Sequence, residues 1–111
     1  MARLASHLLV AALLRRAEAE GGFGTVLAKG DAKAGAIAVI LLERGANPRF
    51  FERLLGPDGS YGWQPSPRAP TDPQGLREFL ERQRRFDRDL WIVELDIASS
   101  ERFADEMNAI G

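Results

Sequence analysis

The stretch from Lys29 to Glu43, KGDAKAGAIAVILLE, constrains the fold more than any other part of the chain. From Ala36 to Leu42 every residue is apolar, with no alternation, and Ile37, Val39 and Ile40 are β-branched. A run of this kind suits a strand covered on both faces, which places it in the middle of a sheet. Gly30 and Gly35 bracket its approach, so the chain can turn sharply and lie close against a neighbour as the strand begins. Everything else has to cover or flank this strand.

A chain of 111 residues is expected to form one domain over 1–111, large enough to bury a real core. Its 15 basic and 16 acidic residues nearly cancel, so no net field steers it to nucleic acid or holds it on an anionic membrane, and neither is expected as a partner. The absence of cysteine excludes a disulfide framework, a thiolate nucleophile and a cysteine-based metal site, and it fits a cytoplasmic address. The N-terminal MARLASHLLVAALLRRAEAEG superficially imitates a signal peptide. Ser6 and His7 interrupt its apolar block, however, and Arg15-Arg16 follow directly. The block is also too short to span a bilayer. It reads as a mostly covered helix from about Ala2 to Glu20, with Leu4, Leu8, Ala11 and Ala12 on one side, Leu9, Leu13 and Val10 widening the stripe, and Gly21-Gly22 as its stop.

Phe23 to Lys29 reads as a short strand, expected to pair with the central run. The segment Arg44 to Pro48 reverses the chain into a third strand, Arg49 to Leu55, with Phe50 and Leu54 on one face. After the turn Gly56-Pro57-Asp58-Gly59 a fourth strand, Ser60 to Gln64, puts Tyr61 and Trp63 on the same face by the two-residue period. Prolines 65, 67 and 70 keep the following segment irregular. Asp72 then caps a helix beginning at Pro73, with Leu76, Phe79, Leu80 and Phe86 at helical spacing. Leu90 to Ile97, LWIVELDI, is a second strong strand with Trp91, Val93, Leu95 and Ile97 on one face, and the Trp91 indole N–H is expected to find a partner. Ser99 or Ser100 opens a last helix carrying Phe103, Met107 and Ile110. The expected fold is α+β: a mixed, mostly antiparallel sheet of four to five strands packed with two or three helices, its last strand able to lie parallel to a neighbour through the crossover helix.

RRAEAEGG, KGDAKAGAIAVILL, DGSYGW and RRFDRDLWIVELD together resemble the proteobacterial domain-of-unknown-function family 1491 over nearly the whole chain. Gly30-Asp31, Gly35, Asp87, Asp89, Leu90, Trp91 and Glu94 carry the most specific likeness. Arg88 stands where the family pattern leads one to expect proline, which implies a looser turn there. The resemblance implies a small cytoplasmic α/β domain and supplies no activity.

Chemistry is sparsely marked. His7 is the sole histidine, so no Ser–His pair or histidine metal cluster can be assembled, and on an apolar helix it reads as a packed or boundary residue. The turn Lys29 to Gly35 has amides and lysines that suit an anion, but a phosphate loop feeds a helix, whereas here a strand follows. Glu94 and Asp96 share a strand face, where Asp31 or Glu43 could join them as in carboxylate sites. Tyr61 and Trp63 beside the prolines are the best contact residues, since large aromatics offer rigid area at low entropy cost. No metal or cofactor is expected. These residues favour a non-catalytic protein-interaction module, homodimeric, over the alternative of a small-molecule or metal-dependent enzyme using Asp31, Glu94 and Asp96.

Overall fold

Residues 4–110 are described in the computed structural model. Its elements are α1 (Ser6–Ala19), β1 (Phe23–Ala28), β2 (Ile37–Glu43), β3 (Ala46–Leu55), β4 (Tyr61–Pro65), α2 (Pro73–Phe86), β5 (Trp91–Ile97) and α3 (Ser100–Ile110). The five strands form one sheet in the order β1-β5-β2-β3-β4, which makes the fold α+β. β2 is interior, and Ile37 to Leu41 are all buried, as its unbroken apolar run requires. β2 and β5 run parallel, while the β1–β5, β2–β3 and β3–β4 pairs are antiparallel.

The expected pairing of Phe23–Lys29 with the central run is overturned, because β5 lies between them. The loop joining β1 to β2 grips the start of β5. Asp31 N–H donates to Asp89 O at 3.0 Å, Trp91 N–H to Ala36 O at 2.8 Å, and the Trp91 indole N–H to Asp31 O at 2.7 Å. Glycine is required on both arms of this grip, since a Cβ at Gly30 or Gly35 would collide with the Asp89 carbonyl. The two glycines that bracket the central run therefore admit a third strand rather than a hairpin.

Alternation sends side chains to two layers. On one face Val39, Leu41, Phe51, Trp63, Trp91, Val93 and Leu95 meet Leu9, Val10, Leu13 and Ala17 of α1 and Phe103 and Met107 of α3. On the other, Ala38, Ile40, Phe50, Leu90 and Ile92 meet Leu76, Phe79 and Leu80 of α2. Phe79 stands edge-on to Phe50, with ring centroids 5.5 Å apart. Complete burial of a side chain such as Phe103 or Leu13 is worth about 1.5–3 kcal/mol.

Two side-chain expectations need correction. α1 begins at Ser6, the expected start near Ala2 lying outside the described residues; of the expected stripe Leu9, Val10 and Leu13 are covered, with Ala17, whereas Leu8, and Leu4 ahead of the helix, are about half exposed. Phe86, expected on the apolar stripe of α2, is exposed. Phe50 and Leu54 share a strand face as expected, Phe50 packed under α2 and Leu54, four residues on, exposed.

β3 also begins earlier than Arg49. Arg44 (φ 51°) and Gly45 (φ 78°) form a two-residue hairpin turn between Glu43 and Ala46, with positive φ at both positions. Asn47 (φ 54°) and Pro48 lie within the strand beside a break in register, where a missing N–H is tolerated. The α2 cap is as expected, Asp72 Oδ2 accepting from Gly75 N–H at 2.7 Å. Asp87 to Leu90 form a turn in which Asp89 N–H donates to Asp87 Oδ1 and Leu90 N–H to Asp87 O. At the start of α3 the Ser99 hydroxyl accepts from Arg102 N–H, and Glu43 Oε2 accepts from Ser100 N–H at 2.7 Å and from its hydroxyl at 2.9 Å. These bonds, the backbone one first, hold the Glu43 carboxyl below its usual range.

Candidate functional site

On the α1/α3 face the helical layer stops short of the outer ends of β3 and β4. Between the start of α1, the loop before β2, and these strands lies a cavity of about 540 Å³. Leu9 and Ile37, both buried, line its apolar side. Its polar lining is Ser6, Lys33, Arg53 and Tyr61, with no carboxylate among the described lining residues. Alternation explains Arg53 and Tyr61: Arg53 follows Phe51 by two residues, and Tyr61 precedes Trp63 by two, so all four face the same layer. The Arg53 guanidinium carbon sits 5.5 Å from the Tyr61 ring centroid, within cation–π range. Ser6 Oγ donates to Gly35 O at 2.6 Å and, with Ser6 N–H and His7 N–H donating to Lys33 O and Ala32 O, ties the loop to α1.

Of the residues singled out in the sequence, Tyr61 lies on this cavity, 43% exposed, and Trp63 does not, being 4% exposed in the core. The shared face was legible. That it is covered at Trp63 was not, because the covering helix α3 lies at the far end of the chain. Trp63 N–H donates to Asn108 Oδ1 of α3 at 2.7 Å, and its indole Nε1 is buried without a hydrogen-bond partner.

Asp31, Glu94 and Asp96 are not gathered. The Asp31 carboxylate turns back on its own loop and accepts from Lys33 N–H and Ala34 N–H, which also removes those amides from anion binding. Glu94 and Asp96 are half-buried on the α2 face, three and five residues beyond Trp91 and so roughly 10 and 17 Å up the strand from that loop. Among the described residues no three His, Asp or Glu side chains cluster as a metal site needs. Exposed His7 points its Nδ1 at Ala32 O at 2.8 Å and, facing a carbonyl, must donate.

Sequence reasoning missed Lys33, Arg53 and Ser6 as neighbours in one cavity. A signal existed for Arg53 alone, a cation on the apolar face of Phe51 and Leu55. It also missed the bare edge strand β1, where Phe23 is 60% and Leu27 51% exposed. β1 is uncharged from end to end.

The family model described as "Protein of unknown function (DUF1491)" matches residues 4–105. Among solved structures, the chain is similar to the crystal structure of a DUF1491 family protein from Caulobacter crescentus CB15, at 39% identity and a TM-score of 0.80, over 87% of this chain and 91% of that one. The NMR structure of a DUF1491 family protein from the same source gives 39% identity and 0.75, over 87% and 88%. Protein Atu0922 from A. tumefaciens gives 32% and 0.73, over 88% and 89%. No curated protein matches the chain.

Proposed function

We propose that this chain, which belongs to the DUF1491 family of proteins of unknown function, is a cytoplasmic, non-catalytic interaction module that pairs with a second copy of itself through β1. The observation that carries the reading is the composition of that edge. FGTVLA has no charge and no proline, the usual protections of an exposed edge strand. Two copies aligned antiparallel would place no like charges opposite one another at any register within the strand. Phe23, Val26 and Leu27, with Phe86 in the last turn of α2, leave roughly 400 Å² of apolar side chain open per copy, taking about 150–250 Å² for a whole aromatic. That turn reaches the end of β1, where Arg84 donates to Lys29 O at 3.0 Å. Doubled, and with the strand backbones added, the area approaches the 1,200 Å² or so of the smaller stable interfaces. The irregularity between Val26 and Ala28 limits ladder pairing to Phe23–Val26 and turns Leu27 outward as a side-chain contact.

Light scattering coupled to size-exclusion chromatography tests this directly. The chain of 12.2 kDa should run at twice its mass at micromolar concentration, and Thr25→Lys with Val26→Lys should return it to one copy with unchanged circular dichroism. A parent protein that stays at one copy at high micromolar concentration defeats the reading. So does a double variant that still pairs.

A further inference from the structure

We propose that Glu20 and Glu106 share one proton, which makes the junction of α1 and α3 a pH-sensitive clasp at the approach to β1. Glu20 ends α1, and Gly21 and Gly22 carry the chain from it straight into Phe23 of β1. Two arginines frame the pair. Arg102 of α3 donates to Glu20 Oε1 at 3.3 Å, and Arg16 of α1 donates through Nε to Glu106 Oε2 at 3.1 Å. Glu20 Oε2 lies 3.4 Å from that same Arg16 nitrogen. An arginine Nε carries a single hydrogen, and here it is given to Glu106. Glu20 Oε2 is left sealed from solvent with no hydrogen-bond donor. An ionised oxygen in that position is costly, whereas a protonated one becomes a donor with the Glu106 carboxylate as its acceptor. No other described charged group lies within ion-pair distance of the two acids. β1 is uncharged, Glu94 and Asp96 of β5 face α2, and Glu43 is occupied at the opening of α3.

The shared proton moves the two acids in opposite directions. Its hydrogen bond to Glu106 raises the Glu20 pKa, with burial adding to the effect, and the same bond lowers the Glu106 pKa, with the Arg16 hydrogen bond adding to that. The pair therefore holds one proton across an interval that spans the ordinary glutamate pKa. The stability Glu20 contributes is complete below that ordinary value and is lost as pH rises through the raised one. The stability Glu106 contributes is complete above the ordinary value and is lost as pH falls through the lowered one. The clasp is tightest between the two and slackens on the alkaline side, where two like charges meet across Arg16.

The test is a pH titration of the isotope-labelled full chain, followed at the glutamate carboxyl carbons by NMR. Hydrogen exchange is read alongside it at the amides of Glu20, Gly21 and Gly22, which close the end of α1 on Ala17 O and Glu18 O. Glu20 should titrate above the ordinary glutamate pKa and Glu106 below it; a plain ion-pair network would hold both below. In Glu106→Ala the Glu20 pKa should fall, because Arg16 and Arg102 then act on it without a second acid. Protection of the Gly21 and Gly22 amides in the parent, corrected for the intrinsic pH dependence of exchange, should drop by about two- to fivefold as pH rises past the Glu20 pKa, the range of a surface interaction of this class. Glu20→Gln supplies a permanent N–H in place of the acid's O–H, so its protection should stay level. A Glu20 that titrates at or below the ordinary value, a Glu20 pKa unmoved by Glu106→Ala, or a decline in Glu20→Gln that matches the parent's would each overturn the proposal.

Discussion

The two margins of the sheet are finished differently. β4 has five residues, ends in Pro65, and has the N–H of its middle residue taken by Asn108 of α3, while Trp63 anchors it in the core. β1 has no proline, no charge and no described side chain from a helix across its outer backbone, and its large apolar residues stand open. An edge strand tends to recruit another, and chains ordinarily blunt that tendency with short strands, prolines, charges or covering elements. This molecule applies several of these devices at β4 and only a register break at β1. The contrast is what points to β1 as a contact surface, and it leaves the β4 end free to frame a cavity.

The largest effect that could break the contrast is at Trp63. Trp63→Ala should cost about 3–5 kcal/mol in urea unfolding, while Phe23→Ala in the unpaired Thr25→Lys, Val26→Lys background should cost well under 1 kcal/mol. Similar losses at the two positions would mean that β1 is anchored as β4 is.

A second comparison separates the two tryptophans, both 4% exposed. Trp91→Phe gives up the indole bond to Asp31 O, which ties the loop to β5, whereas Trp63→Phe gives up no such bond. Unfolding should therefore be weakened about 1 kcal/mol more by Trp91→Phe than by Trp63→Phe. A reversed order would show that the Trp63 indole has a partner after all.

Asn108→Ala sharpens the account of the protected edge. Loss of the side-chain acceptor should cost about 1 kcal/mol and speed hydrogen exchange at the Trp63 amide, with the β1 amides unaffected. Unchanged exchange at Trp63 would locate the protection of β4 elsewhere.

The smallest effect is electrostatic. Because folding lowers the Glu43 pKa, chiefly through the Ser100 N–H, the stability it contributes is complete above the ordinary carboxylate pKa and is lost as pH falls through the lowered one. Glu43→Gln should flatten the acid limb of the stability–pH curve measured by denaturant midpoints, and the first amides to lose protection in the parent should be those opening α3. A parallel acid limb in the two proteins would assign the acid sensitivity to other carboxylates.

How much was legible in the chain depended on how local the information is. Element type and order could be read, because a period of two or of about 3.6 is written into each segment by itself: the apolar run of β2, the alternation of β5 and the Asp72-Pro73 start of α2 all stand where the pattern puts them. The candidate site was barely legible. Tyr61 was visible as an aromatic beside prolines, but Lys33 and Arg53 become its neighbours only once the start of α1 and the loop before β2 are laid over the β3–β4 end.

What the sequence by itself determined is thus which segments are strands and helices and, for β5 and α2, which side each buries. Only the tertiary structure decided which strands are neighbours and which apolar faces receive cover. β2 is apolar on both faces and would satisfy its pattern beside β1 or beside β5; its neighbour is chosen by the non-local grip of the loop on Asp89 and Trp91. Trp63 and Tyr61 carry the same periodic signal, yet one is core and the other cavity wall. The difference is made by α3, whose Asn108 lies 45 residues further along the chain from Trp63, beyond the reach of any local pattern.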